Sequence, residues 1–218
     1  MASGITFESN GIKKHTFEDW GLFLSSFSIG EATPKTEYVD IVGGNGTLDL
    51  TEIYDHIFYK DRTHTIVLTS LDDELRFTSK LDEITAFLHG RKFNITTDFN
   101  SDWYYVGRVE VNKYATSKRL GQITLKCVCE PFKYKRYKTY VSEIVNGTDI
   151  EVVCPNSRME VVPTFRANTN MTFEYNGATY TLTDDDTIYN DIFFTEGNNI
   201  LKVTGNGTIT ISYQEGTL

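Results

Sequence analysis

The chain has 218 residues, a formal net charge of −9 and a sequence pI of about 4.9. Hydrophobic residues make up 39% and charged residues 23%, a balance that can build a core and argues against global disorder. The acidic charge argues against a nucleic-acid-binding protein, which normally presents a basic face. No apolar run approaches membrane-spanning length, and residues 1–12 lack the basic and apolar regions of a secretion signal. We therefore expect a soluble protein made in a cytoplasm.

Residues 5–60 are predicted to form strands and loops. Gly43-Gly44-Asn45-Gly46-Thr47 predicts a flexible hairpin turn or loop tip. A phosphate cradle is the alternative, but the Lys-Ser/Thr pair and the helix that such a loop requires do not follow.

The segment 63–134 predicts two short strands, one helix and two longer strands. The helix is predicted over residues 80–89, with Ser79 as its N-cap and Gly90 after its end. Its apolar residues share one face of a helical wheel, which a sheet must cover: Leu81, Ile84, Phe87 and Leu88. Asp72-Asp73-Glu74 lies between the two short strands and is interpreted as a turn.

The two longer strands alternate in polarity. In the first, Trp103–Val111, the odd-numbered residues face one way, and in the second, Gln122–Cys129, the inward residues are Ile123, Leu125, Cys127 and Cys129. The polar segment 112–121 between them is long for a tight hairpin, so we expect it to project. Cys127, Cys129 and the distant Cys154 form no disulfide pattern, and buried, reduced thiols are favoured over metal ligation.

The last third of the sequence predicts a small β-sandwich. Asn176-Gly177 is a strong hairpin signal that places Met171, Phe173 and Tyr175 on the dry face. A second hairpin is predicted around Gly205-Asn206-Gly207, pairing Leu201 with Ile211 and Val203 with Ile209. Further strands are expected near residues 150–153 and 159–165.

No constellation in the sequence predicts an enzyme. We predict no catalytic, metal-binding or cofactor-binding residue, and the ligand-binding residues stay undetermined. The four histidines lack metal-ligand spacing, and Asp184-Asp185-Asp186 fits an acidic loop better than a calcium site. Lys133–Tyr140 interleaves basic and aromatic residues, which favours a bridging or subunit contact over nucleic-acid binding in so acidic a chain.

Several motifs together resemble the distal tail protein of siphophages. They are structural motifs whose order and spacing carry the resemblance over nearly the whole chain: Leu88-His89-Gly90, the aromatic run Tyr104-Tyr105-Val106-Gly107-Arg108, the strand ending Glu130-Pro131-Phe132, and Gly197-Asn198-Asn199-Ile200 with the strands that follow.

The resemblance implies a mainly β fold in two domains. Residues 1–132 would form a ring-forming split β-barrel with the helix 80–89, and residues 133–218 a galectin-like β-sandwich. Some relatives carry extra carbohydrate-binding insertions in that domain, and from the 218 residues given we expect none here.

The resemblance also implies a structural virion protein without enzymatic activity or cofactor. It would form a hexameric ring, alone or as a pair of rings, at the distal end of a long non-contractile tail. The implied partners are the tail-tube protein, the tail-tip or baseplate hub, and a receptor-binding protein or host glycan. DNA would cross the lumen without specific binding, and the protein would be assembled in the bacterial cytoplasm and located at the virion tail tip.

Three other functions stay open at this point. A carbohydrate-binding adhesin would need exposed aromatic side chains on one sheet face, with Tyr175, Tyr180 and Tyr189 as candidates. A tail-tube protein would form long stacked tubes instead of one ring. An acidic glycosidase would need a defined carboxylate pair, which the sequence does not single out.

Overall fold

The computed structural model describes residues 3–53, 56–72, 74–117 and 120–218. Within these residues the chain forms eighteen strands and two helices, so the mainly β fold class is confirmed. Tertiary contacts divide the chain into two compact units, Met1–Lys133 and Tyr134–Leu218. No helix in the described ranges is both long and apolar enough to cross a membrane.

The first unit is built on one antiparallel sheet with the strand order β2-β1-β7-β8-β9-β6-β3. Within the described residues the two outermost strands, β2 and β3, do not pair with each other, so the sheet does not close into a complete barrel. The strands are β1 (Ile5–Ser9), β2 (Ile12–His15), β3 (Phe23–Ser28), β6 (Arg62–Ser70), β7 (Lys92–Thr97), β8 (Asn100–Ser117) and β9 (Leu120–Lys135). A separate hairpin pairs β4 (Tyr38–Asp40) with β5 (Thr47–Asp49).

Helix α2 covers part of this sheet and starts earlier than the sequence suggested. It spans Glu74–Leu88, so the predicted start at residue 80 and the Ser79 cap are wrong, and what was predicted as a second short strand is its first turn. The reason is Phe77, which is buried together with the predicted apolar stripe. A Cβ added at Gly121 would lie 2.2 Å from the Phe77 ring, so the missing side chain of Gly121 makes room for this turn.

A short helix, α1 (Thr16–Trp20), was not predicted. Its N-cap is His15, whose Nδ1 accepts a hydrogen bond from the Glu18 N–H at 3.1 Å, and its C-cap is Gly21 with φ of 67°. Five residues with a histidine cap carry little helical periodicity, which is why the pattern was missed.

The alternation of β8 and β9 is confirmed. The inward side chains of β9 are fully buried, and those of β8 are buried or half-buried. Beyond Arg108, where the pairing with β7 ends, β8 runs on to Ser117 with exposed residues from Asn112. Residues 112–117 of the predicted projecting segment are thus an exposed extension of β8, while residues 118 and 119 lie outside the described residues and Gly121 is buried in β9.

The second unit consists of two four-stranded antiparallel sheets, β10-β17-β12-β15 and β11-β16-β13-β14. Their inward side chains form one buried cluster, in which Phe165 of one sheet stacks on Phe173 of the other with ring centroids 4.7 Å apart. The strands are β10 (Thr139–Asn146), β11 (Ile150–Asn156), β12 (Thr164–Ala167), β13 (Met171–Tyr175), β14 (Ala178–Leu182), β15 (Thr187–Ile188), β16 (Gly197–Thr204) and β17 (Asn206–Tyr213), followed by β18 (Gly216–Thr217). The predicted β-sandwich is confirmed.

One of the two predicted hairpins is confirmed and the other is wrong. The turn at Asn176-Gly177 pairs Met171 with Leu182 and Phe173 with Tyr180. The segments on either side of Gly205 do not pair with each other, because β16 belongs to one sheet and β17 to the other. Their apolar residues face the same core from opposite sides, so the alternation that suggested cross-strand partners arises from sheet-on-sheet packing.

Candidate assembly surfaces

A group of exposed apolar residues in the first unit lies on and beside the hairpin of β4 and β5. We call residues 35–53 the arm. Six of its large apolar residues are at least 47% exposed: Tyr38, Val39, Ile41, Val42, Leu48 and Ile53. Val42, at the tip, is 100% exposed. An isolated two-stranded hairpin is marginally stable in water, and a concentration of exposed apolar residues is typical of a contact surface.

The arm starts from a firmly held root. The Lys35 N–H donates to the Phe58 carbonyl and the Lys60 N–H to the Thr33 carbonyl, both at 2.8 Å. Just before the arm, a Cβ added at Gly30 would lie 2.2 Å from the Thr63 carbonyl oxygen, so this loop lies directly against β6. A fixed root with an apolar tip is suited to contact another molecule without reorganising the core.

The sheet of the first unit also has free backbone edges. Strands β2 and β3 each have one strand neighbour within the described chain, and the end of β8 from Asn112 has β9 alone. Free edges can pair with another chain. The two lysines of β2, Lys13 and Lys14, are the kind of charge that discourages uncontrolled pairing at an edge.

The three tyrosines considered for sugar binding belong to the core of the second unit or its margin. Tyr175 is 7% exposed, and its hydroxyl donates to the Asn199 Oδ1 at 2.9 Å. Tyr180 stacks on Phe173, and Tyr189 contacts Tyr180 with ring centroids 4.8 Å apart. Both are half-buried against the core, so no exposed aromatic platform is formed by these three side chains.

The basic and aromatic segment 133–140 is tied into the fold. Lys135 pairs with the buried carboxylate of Glu215 at 2.6 Å, and Ser157 donates to the same carboxylate at 2.7 Å. Burial raises the pKa of Glu215, but hydrogen bonds from Lys135, Thr139 and Ser157 outweigh burial and hold it below its usual value. Tyr137 and Tyr140 are 72% and 67% exposed, which leaves them available for a subunit contact.

The acidic loop 184–186 is exposed and lies beside a polar depression. The depression has a volume of about 270 Å³, below the usual range of about 300–1,000 Å³ for ligand sites, and no aromatic residue lines it. Its walls are Arg166, Ala167, Asn168, Asp184, Thr208 and Thr210. In the described residues no three His, Cys, Asp or Glu side chains are grouped to hold a metal ion.

Two histidines and the three cysteines are held in structural contacts within the first and second units. His15 lies 3.2 Å from Asp98, and the Nδ1 of His89 accepts the Val111 N–H. The three cysteines are free and buried, as predicted, and burial raises the pKa of each thiol, to about 12 for Cys129 and Cys154. Such thiols are not reactive nucleophiles at neutral pH.

Comparison with known proteins shows that the chain has a fold similar to that of a solved structure. No family model matches the sequence, and no curated protein matches it. Among solved structures, the chain is similar to the crystal structure of the SPP1 Dit protein, described as a paradigm of the hub adsorption apparatus in phages that infect Gram-positive bacteria. The TM-score is 0.71 at 17% sequence identity, and the likeness covers 100% of both chains.

This likeness shows that the two proteins share a fold over their full length. The fold expected from the resemblance to siphophage distal tail proteins is therefore confirmed for this chain. Complete coverage at low identity is consistent with a resemblance that was carried by the order and spacing of the motifs.

Proposed function

We propose that this chain is a structural component of a phage tail tip, which forms a hexameric ring between the tail tube and the tail-tip hub. The observation that carries the proposal is the full-length likeness to SPP1 Dit, which includes both units. The ring would be the functional form, and catalysis would play no part in it.

The exposed surfaces of the first unit support an assembling protein. The arm carries six exposed large apolar residues, and the sheet has free edges at β2 and β3. Contact between neighbouring copies would cover both features, and closure of a ring gives every copy the same two neighbours. We place the main ring contacts on the first unit and assign the second unit, a galectin-like sandwich, to the outside of the ring.

The remaining parts of the proposal concern partners. Tail-tube and hub proteins would contact the two faces of the ring, and a receptor-binding protein would join through the hub. The net charge of −9 would let DNA pass through the lumen without binding. A carbohydrate-binding adhesin is less well supported, because Tyr175, Tyr180 and Tyr189 pack into or against the core.

The test is the mass and shape of the purified full-length protein at increasing concentration. Light scattering after gel filtration should give six copies of the 24.9-kDa chain, or twelve, and negative-stain electron microscopy should show closed rings. A species that stays monomeric up to the highest soluble concentration would contradict the ring. Long stacked tubes would instead support a tail-tube protein.

A pair of variants locates the contact. Val42→Asp places a charge at the fully exposed tip of the arm and should shift the protein to monomers, because an unpaired carboxylate would be buried in the ring contact. Val153→Asp, on an exposed position of β11 in the second unit, is the matched control and should leave the rings intact. The opposite pattern would move the ring contact to the second unit.

A further inference from the structure

Two buried side chains of β6 have polar atoms without partners. The Nε and Nη2 of Arg62 and the Nε2 of His64 make no hydrogen bond within the described chain. Arg62 is 3% exposed and His64 is 0% exposed. Unpartnered buried polar atoms are uncommon, and each costs free energy unless something occupies the site.

All three orphan atoms are hydrogen-bond donors. The guanidinium of Arg62 has donors only. The Nδ1 of His64 accepts the Gly30 N–H at 3.1 Å, so the proton of the neutral ring resides on Nε2, which therefore also donates. A site that offers only hydrogen-bond donors fits an anion, which only accepts. A water molecule would leave its own two O–H donors without acceptors in such a site.

The positive charge of Arg62 is not neutralised by an ion pair. In the described residues no carboxylate pairs with it, and its nearest aromatic partner is Tyr105, with Cζ 4.9 Å from the ring centroid. The Glu31 carboxylate attracts it only at longer range. A buried charge without a counter-ion is strongly unfavourable, which favours a bound negative ion.

The two side chains also lie close enough to share one small ion. Both contact the Tyr105 ring, since the His64 ring centroid is 4.5 Å from it. Alternate residues on one face of a strand are about 7 Å apart at their Cα atoms, so two long side chains that contact the same ring can direct their donors toward one ion. Because Arg62 and His64 are both almost completely buried, an occupant that their side chains share has to be small, which suits a monatomic anion and not a protein carboxylate.

We propose that Arg62 and His64 form a buried binding site for a small monovalent anion, with chloride as its occupant. The ion accepts hydrogen bonds from the guanidinium and from the Nε2–H of His64 and neutralises Arg62. It thereby stabilises the first unit beneath the root of the arm. The site does not depend on the proposed ring.

The first test is thermal unfolding of the full-length protein at constant ionic strength and neutral pH, with chloride replacing the larger methanesulfonate. The unfolding temperature of the first unit should rise by roughly 2–8 °C and reach a plateau, as binding to the folded state predicts. Arg62→Gln should remove this dependence. Lys126→Gln, which deletes a positive charge at an exposed position of β9, should retain it. Equal stability of the wild-type protein in both anions would overturn the proposal.

A second test needs no variant, so it holds even where Arg62→Gln does not fold. Wild-type crystals soaked in bromide should give an anomalous peak between the Arg62 guanidinium and the His64 Nε2. A bromide peak at this position supports the site. Density for water alone there, with bromide bound only at the surface, would overturn it.

Discussion

The two units cover their apolar sheet faces by different means. In the second unit, two sheets pack face to face, and the stacked pair Phe165 and Phe173 joins them in one apolar core. In the first unit, a single split sheet is covered by α2 on one part, while Arg62 and His64 are buried near the root of the arm. Both units have open sheet edges and exposed apolar residues, so these features do not separate them. The first unit differs in two respects: it carries an apolar arm outside its sheet, and within the described residues the buried charge of Arg62 has no ion-pair partner.

The largest effect on stability is expected from removing an aromatic ring from the sandwich core of the second unit. Phe165→Ala should lower the free energy of unfolding of the second unit by about 3–5 kcal/mol, because a large cavity forms between the sheets. Denaturant unfolding followed by circular dichroism measures the change. Arg166→Ala, at the next and exposed position of β12, is the control and should have a much smaller effect. A loss below about 1 kcal/mol would mean that the core repacks.

The buried histidine should make the first unit sensitive to acid. Burial and the neighbouring Arg62 lower the pKa of His64 from 6.5 to about 4 in the folded state. Between these values the unfolded chain binds a proton that the folded chain does not, so stability falls as the pH drops through this window and is unaffected above it. In low chloride the loss should be about 3 kcal/mol.

The measurement for His64 is the difference in unfolding free energy between wild-type protein and His64→Gln across that pH range. The difference should shrink toward acid pH, since the variant lacks the titrating group. A difference that stays constant with pH would show that His64 protonates as easily when folded as when unfolded.

A smaller effect is expected for the buried carboxylate of the second unit. Glu215→Gln removes the charge that Lys135 and Ser157 bind, and should cost about 1.5–3 kcal/mol of unfolding free energy. Glu196→Gln removes an exposed carboxylate 3.5 Å from Arg158 and should cost less than about 1 kcal/mol. Equal effects from the two variants would mean that the Glu215 network adds no more than a surface pair.

The smallest expected change in stability is at the arm. Val42→Ser should alter the unfolding free energy of the dissociated chain by less than about 0.5 kcal/mol, because Val42 is fully exposed. Thermal unfolding at low protein concentration measures this. A large loss would show that the tip of the arm packs within its own chain.

Local patterns in the sequence predicted much of the fold. The alternation in β8 and β9 identified the buried face, and Asn176-Gly177 identified a hairpin and its register. The apolar stripe of α2 was correct from Leu81 onward. These features depend on residues close in the chain, where periodicity and turn chemistry dictate the outcome.

Contacts between distant residues decided the rest. The first turn of α2 depends on the space that Gly121 leaves for Phe77, and the separation of β16 from β17 depends on the pairing of each with strands far away in sequence. The candidate assembly surfaces could not be recognised in the sequence, because exposed apolar residues such as those of the arm cannot be distinguished there from core residues. Likewise, Arg62 and His64 look like ordinary strand residues. Local sequence patterns were therefore enough to identify most strands and their apolar faces, but not the first turn of α2. Which apolar and charged groups find partners depends on the tertiary structure, because burial and pairing are properties of the packed chain.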